Sequence, residues 1–364
     1  MPMRGVESAG EKFERHLAAA AAACDERRPQ EAEAQAVAAL AIAERHGGAR
    51  AAGRLARAAC ALAEVRLELG EYGDAEALSR RALRAIAVPG VAGEATEARL
   101  RVRALRALGS ALRCQGRYPD AEEPLREALS LAERSFGSDD SAVAAAANDL
   151  GVLYKYAARF DEAEVLYRRA LRAVEASRGS DDLEATVWHN LGGLEHSRGR
   201  HALAEPAARR AVEIRSQALG ADHPAVAADR AALAAILDAL GSTDEAEALL
   251  RQALDAFTRL LGPRHYEVAI NANNLAALRY RRGDHQQAHD LWEQALAIKR
   301  ELLGPAHPEV ATTIVNLGVL AATRGERDRA RVLFEQALQI LGPDVGADHP
   351  VRRAATESLE RLAR

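Results

Sequence analysis

The chain is short of aromatics, cysteine and lysine, and each shortage narrows what it can be. Aromatic residues fill 4% of its 364 positions, while hydrophobic residues as a class fill 48%. A core with that ratio is carried by alanine and leucine, side chains small enough for helices to cross at close approach. The cysteines are Cys24, Cys60 and Cys114. An odd number with no Cys-x-x-Cys spacing argues against a disulfide framework and against a zinc site, and it fits a reducing compartment. The lysines are Lys12, Lys155 and Lys299, so nearly every cation is an arginine, the usage that codon bias in a GC-rich genome produces. No apolar run is long enough to span a bilayer. The opening MPMRGVESAGEKFERH lacks the apolar core of a signal peptide. A cytoplasmic protein with no membrane partner is therefore expected. The net charge of −4 supplies no basic bias to recruit nucleic acid. P-loop, GxGxxG, GxSxG and HExxH motifs are all missing, so the expectation is no cofactor and no enzymatic activity.

What the chain does have is a repeat. Anchoring each copy on one small residue gives Ala32, Ala75, Ala121, Ala163, Ala204, Ala246, Ala288 and Ala330, the last four spaced by 42 and the earlier gaps 43, 46, 42 and 41. A second small residue lies twelve before the anchor in seven copies (Ala63, Gly109, Gly151, Gly192, Ala234, Ala276, Gly318), each preceded by leucine. A fixed period of this size means stacked supersecondary units. Two apolar runs with helical spacing make up each copy. A break such as Gly70-Glu71, Gly116-Arg117 or Gly283-Asp284 parts them, and glycine there suits a helix C-cap. Each copy thus reads as helix A, a tight turn and helix B. A single pair cannot bury its own stripe, so neighbours must stack.

This pattern resembles the tetratricopeptide repeat, whose L-G-x2-Y and A-x3-F positions are matched by Leu150-Gly151, Tyr154, Ala163, Tyr167 and Ala170, and again by Leu317-Gly318, Ala330, Phe334 and Ala337. The usual period is about 34 residues. The extra length here carries Leu-Gly…His-Pro, as in Leu219-Gly220…His223-Pro224 and Leu303-Gly304…His307-Pro308, and looks like the kinesin-light-chain variant common in bacterial regulatory proteins. The resemblance implies an all-α fold: an α-solenoid superhelix of about eight helix-turn-helix units with a C-terminal capping helix. The expected divisions are a disordered N-terminus (1–10), a degenerate first repeat or cap (11–46), a solenoid of seven repeats of 41–46 residues (47–348) and a capping helix (349–364). Residues 87–93 read as a lengthened loop. Pro124 and Pro206 fall inside helix B, which either kinks there or starts later. His223, His265, His307 and His349 recur one per repeat at the start of helix A. That places them as caps before a first-turn proline rather than as metal ligands.

The resemblance also implies where a guest would sit, because helix A lines the concave groove of that family. Counting the small residue after the leucine as position 8, the groove positions are 2, 5, 9, 12 and 13. They single out Arg57, Arg103, Arg106, Arg113, Asn148, Lys155, Tyr156, His189, His196, Asn273, Tyr280 and Arg281 as candidate partner-binding residues. The cations gather in the first half of the chain, while Asn, His and Tyr follow. Such a strip suits a partner protein or peptide carrying acids, held by arginine forks. The competing internal reading is that Glu64 and Glu68 neutralise Arg103 and Arg106 across the copy boundary. The paired arginines of helix B (Arg80-Arg81, Arg168-Arg169, Arg209-Arg210) read as solvent dressing. The leading function is a non-enzymatic interaction scaffold; the alternative is a sensor whose solenoid changes pitch on binding and switches an effector, with loop 87–93 supplying compliance. A metal site from His189, His196 and either Cys114 or Asp238 is the weakest reading. Exposed solenoid ends leave room for a homodimer.

Overall fold

The computed structural model describes residues 8–25, 28–45, 48–177, 179–342 and 350–363. Among them the secondary structure is seventeen α-helices and no strand. The chain divides into two compact units, Met1–Arg198 and Gly199–Arg364, with the division in the turn of the fifth copy.

In unit 1 the A helices are α1 (Ala9–Asp25), α3 (Ala49–Glu68), α5 (Glu94–Cys114), α7 (Ser141–Tyr156) and α9 (Asp181–Ser197). They alternate with the B helices α2 (Pro29–Glu44), α4 (Tyr72–Ile86), α6 (Tyr118–Phe136) and α8 (Phe160–Ser177). Unit 2 opens on α10 (His201–Leu219) and continues through the pairs α11 (Pro224–Ala239) with α12 (Thr243–Leu261), α13 (Tyr266–Arg281) with α14 (His285–Leu303), and α15 (Pro308–Thr323) with α16 (Arg327–Leu341). A final α17 (Pro350–Ala363) packs on α16 and α15 and buries Ala355. This is the repeat architecture expected from the periodicity. The first pair forms a hairpin like the others, beginning at Ala9; residues 1–7 and His349 lie outside the described residues.

The small residues sit where A crosses B. A Cβ on Gly109 would fall 2.4 Å from Leu125, on Gly151 2.8 Å from the Tyr167 ring, and on Gly318 2.7 Å from the Phe334 ring. Each large residue lies four after its anchor, so glycine on A and a bulky side chain on B are one packing solution. The A-to-B turn closes as a Schellman motif: in the second copy Glu71 N–H donates to Arg66 carbonyl at 2.9 Å and Gly70 takes φ +77°. In the fourth copy Ala158 occupies that position at φ +58°, which costs an L residue about 1–2 kcal/mol.

Helix A starts are capped as the histidine spacing predicts. Nδ1 of His223, His265 and His307 accepts the N–H of the residue two later, each at 3.2 Å. In unit 1 the corresponding caps are Asp140, accepting from Ala142 at 2.8 Å, and Ser180, accepting from Leu183 at 3.2 Å. The alternatives left open at the two prolines are resolved. Helices α6 and α10 start ahead of Pro124 and Pro206, so the prolines lie within the helices rather than at a delayed start. In loop 87–93, Val91 is buried against α3, its carbonyl 2.8 Å from where a Gly53 Cβ would stand.

Candidate functional site

Successive A helices of unit 1 are in contact (α1 with α3, α3 with α5, α5 with α7, α7 with α9), whereas successive B helices share at most a slight contact among the described residues. The layer whose members touch is the inside of a curve, so the A helices form the concave wall of this unit. In unit 2 the same holds for α13, α15 and α17.

Most side-chain pairs across this wall share one register: a residue on one helix A meets the residue one position later on the next. Counted from the anchors, the upper rung joins position −15 to position −14. It holds Arg106 Nε donating to Asp149 at 2.7 Å, Asn190 donating to Asn148 at 2.8 Å, and Asn316 donating to Asn273 at 3.2 Å. The lower rung joins −8 to −7 and holds Asp238 with Arg281, and Tyr280 with Thr323 at 2.8 Å. Two more ion pairs link neighbouring A helices of unit 1. Arg57 grips Glu14 with both terminal nitrogens at 2.6 and 2.8 Å, and Arg103 grips Glu64. That hydrogen bond holds the Glu14 carboxyl below the usual carboxylate range.

The internal reading of the arginine strip is therefore right for Glu64 with Arg103, while Arg106 takes Asp149 instead of Glu68. The ladder partners Asp149, Asn190, Asn316, Asp238 and Thr323 escaped the sequence reading. Their signal was available as polar pairs separated by one period plus one residue.

What remains is the lower rung of unit 1. Arg113 on α5 reaches forward to Tyr156 on α7, its guanidinium carbon 5.2 Å from the ring centroid. Lys155 Nζ lies 5.9 Å from the same centroid and 3.0 Å from where a Cβ on Gly193 of α9 would sit. Burial, then the neighbouring Arg113 charge, pushes the Lys155 ammonium below its ordinary pKa. Neither cation has a carboxylate within ion-pair distance among the described residues. Tyr156 is 56% exposed. Nearer the start of α7, a cavity of about 620 Å³ is lined by Arg99, Arg103, Arg106, Glu64, Ser177 and Ser180 among others. Its arginines are all engaged, Arg99 with Asp140 at 2.9 Å.

His189 and His196 lie half-buried on α9. Among the described residues no group of three or more His, Cys, Asp or Glu is placed to hold a metal ion, and no helix is long and apolar enough to cross a membrane. Burial pushes the Cys60 thiol up to about 12, so it is a core side chain and a poor nucleophile.

The helix-B arginines do more than dress the surface. Five copies carry Ala-Glu-x3-Arg at the anchor (Glu76/Arg80, Glu122/Arg126, Glu164/Arg168, Glu205/Arg209, Glu247/Arg251). In four of them an arginine from the next A-to-B turn closes on the same glutamate: Arg117 at 3.0 Å, Arg159 at 2.8 Å, Arg198 at 2.6 Å and Arg282 at 2.5 Å. Arg81 reaches Glu44 and Arg169 reaches Glu133 on the preceding B helix. This face is stapled copy to copy.

Comparison with known proteins agrees with this geometry. A family model of the tetratricopeptide repeat matches residues 100–176, 183–259, 230–301 and 267–341. Among solved structures, BtubC (BKLC) from P. vanneervenii is 28% identical over 62% of this chain and 90% of its own, with a TM-score of 0.54. A Rap protein complexed with competence and sporulation factor is 14% identical, covers 98% of this chain and 97% of its own, and has a TM-score of 0.61. The nearly identical TPR-like repeats of a candidate kinesin light chain from Podosopora anserina are 25% identical over 53% of this chain and 92% of their own, at a TM-score of 0.47. No curated protein matches.

Proposed function

This chain belongs to the tetratricopeptide repeat family, and we propose that it is a non-enzymatic cytoplasmic scaffold that holds a segment of a partner protein along the helix-A wall of unit 1. The observation that carries this reading is the contrast between the two faces of that unit. The B face is stapled by Glu–Arg clasps from copy to copy. The A face ends its ladder on an exposed tyrosine and two cations without acids. A rigid surface formed before binding loses little ordering entropy when a guest arrives. The partner-facing residues are Arg113, Lys155 and Tyr156, flanked by His189 and His196 on the next helix. Arg57, Arg103, Arg106 and Asn148 serve the wall by bonding to one another's copies, and Asn273, Tyr280 and Arg281 do so in unit 2.

The test is affinity capture on immobilised protein, comparing the wild type with Arg113→Glu/Tyr156→Ala, which disturbs no ion pair. The double variant should lose the partners that the wild type retains while circular dichroism shows unchanged helicity. Capture of the same partners at the same level would remove the wall assignment. In the alternative sensor reading, the solenoid changes pitch on binding and switches an effector. Small-angle scattering with and without the captured partner decides between the two: a sensor alters its radius of gyration and a passive scaffold does not.

A further inference from the structure

The three lysines of the chain stand in three different surroundings. Lys12 is exposed on α1. Lys299 is buried and paired with Glu309 at 3.2 Å. Lys155 is half-buried with no carboxylate in ion-pair distance among the described residues. Its Nζ lies 5.9 Å from the Tyr156 ring centroid, and the Arg113 guanidinium carbon lies 5.2 Å from the same centroid. Two like charges thus share one ring. Loss of a proton from Lys155 relieves both its desolvation and that repulsion. Burial, then the Arg113 charge, accordingly holds the Lys155 ammonium below the ordinary lysine pKa. A desolvated amine beside a second cation is the form in which lysine acts as a nucleophile. There is also room for a small group to be added. Within 4 Å, a Cβ on Gly193 of α9 would meet only Lys155, its Nζ at 3.0 Å and its Cε beyond.

We propose that Lys155 is a modification site for carbon dioxide: its amine adds CO2 to form a carbamate, which the Arg113 guanidinium stabilises. The nitrogen lone pair attacks the carbon of CO2 and a C–N bond forms. One C=O π pair moves onto oxygen, and the nitrogen gives up its proton to water. Nothing is oxidised or reduced, and no leaving group is needed. The product places an anion where a cation stood, so the repulsion between Lys155 and Arg113 becomes attraction. A carbamate presents two oxygens, the geometry that an arginine fork accepts. Transfer of an acyl group would only remove the lysine charge and leave Arg113 without a counter-ion, so CO2 matches this site better than an acyl donor. The modification does not depend on the docking reading. On that wall it would reverse the charge of one of the partner-facing residues.

The test uses the full chain in mildly alkaline bicarbonate labelled with carbon-13. Triethyloxonium traps carbamates as stable ethyl esters, and peptide mass spectrometry places them. Lys155 should carry at least tenfold more label than Lys12. Arg113→Gln should lower the Lys155 label at least tenfold, while Arg172→Gln, the same change in net charge at an exposed position of α8, should stay within twofold. A second readout needs no trapping. A group that adds only to the folded site stabilises it. Exchange of chloride for bicarbonate at equal ionic strength should therefore raise the thermal midpoint of the wild type above that of Lys155→Arg, which keeps the positive charge and forms no carbamate. Equal label at Lys12 and Lys155, an Arg113→Gln label like that of the wild type, or the same bicarbonate shift in the wild type and Lys155→Arg would each overturn the proposal.

Discussion

Units 1 and 2 are built from the same hairpin and finish it with different chemistry. Unit 1 caps its A helices with aspartate and serine and lines their inner face with ion pairs. Unit 2 caps with histidine, and its A helices carry small or aliphatic residues (Ala231, Ala277, Val319 and Ala322, all partly buried) between the polar rungs. It buries charged pairs away from the wall, as unit 1 does with Arg198 and Glu195. Arg215 and Asp229 pair at 2.7 Å with side chains 6% and 3% exposed, and Glu247 is buried among Arg251, Arg279 and Arg282. The backbone repeat fixes where helices go, and the non-repeating positions decide which surface is left unfinished. In unit 1 that surface faces the inside of the curve.

The comparison can be broken first at the buried pair. Asp229→Ala removes one partner of this buried pair and should cost about 3–5 kcal/mol. The two tryptophans separate the responses, since Trp188 lies in unit 1 and Trp292 in unit 2. In urea unfolding of single-tryptophan variants, the Trp292 transition should fall sharply and the Trp188 transition much less, as nearest-neighbour coupling requires. Equal shifts would mean that the units melt as one.

A smaller effect is expected at the helix crossings. Gly151→Ala in unit 1 drives a methyl against the Tyr167 ring and should cost about 1–3 kcal/mol. The matching positions of copies six and seven already hold Ala234 and Ala276, so Ala234→Gly should lose only helix propensity and packing, about 1 kcal/mol. Thermal denaturation of both variants measures the asymmetry.

The caps give a third contrast. His307→Ala in unit 2 and Ser180→Ala in unit 1 should each cost about 1 kcal/mol at neutral pH. Chemical denaturation of each variant beside the wild type measures both. The smallest effect runs the other way: Ala158→Gly relieves a left-handed alanine and should raise stability by up to about 1 kcal/mol.

These contrasts also show what the sequence could and could not reveal. Helix positions, turns, caps and small-residue crossings were legible because each depends on local spacing: a leucine before glycine, an alanine twelve later, a histidine before proline. The wall was legible as a set of positions but not as a charge balance. Arg106 and Arg113 are alike in the sequence, seven apart on one helix face. One is spent on Asp149 and the other lies over the Tyr156 ring. That difference depends on the one-residue offset between neighbouring A helices, which periodicity within a copy does not contain. The Glu–Arg clasps on helix B were visible as Ala-Glu-x3-Arg, but their second arginine arrives from the next turn and could be placed only by the fold.

The most direct measurement is site-specific photo-crosslinking in the native cell. A photoreactive phenylalanine is placed at Val152, on the A face of α7, or at Val165, which is 65% exposed on the B face of α8. A discrete adduct from position 152, lost in the Arg113→Glu/Tyr156→Ala background, and none from position 165 is the result expected if the concave wall of unit 1 is the docking surface. Adducts from position 165 alone, or from position 152 regardless of that background, would contradict it.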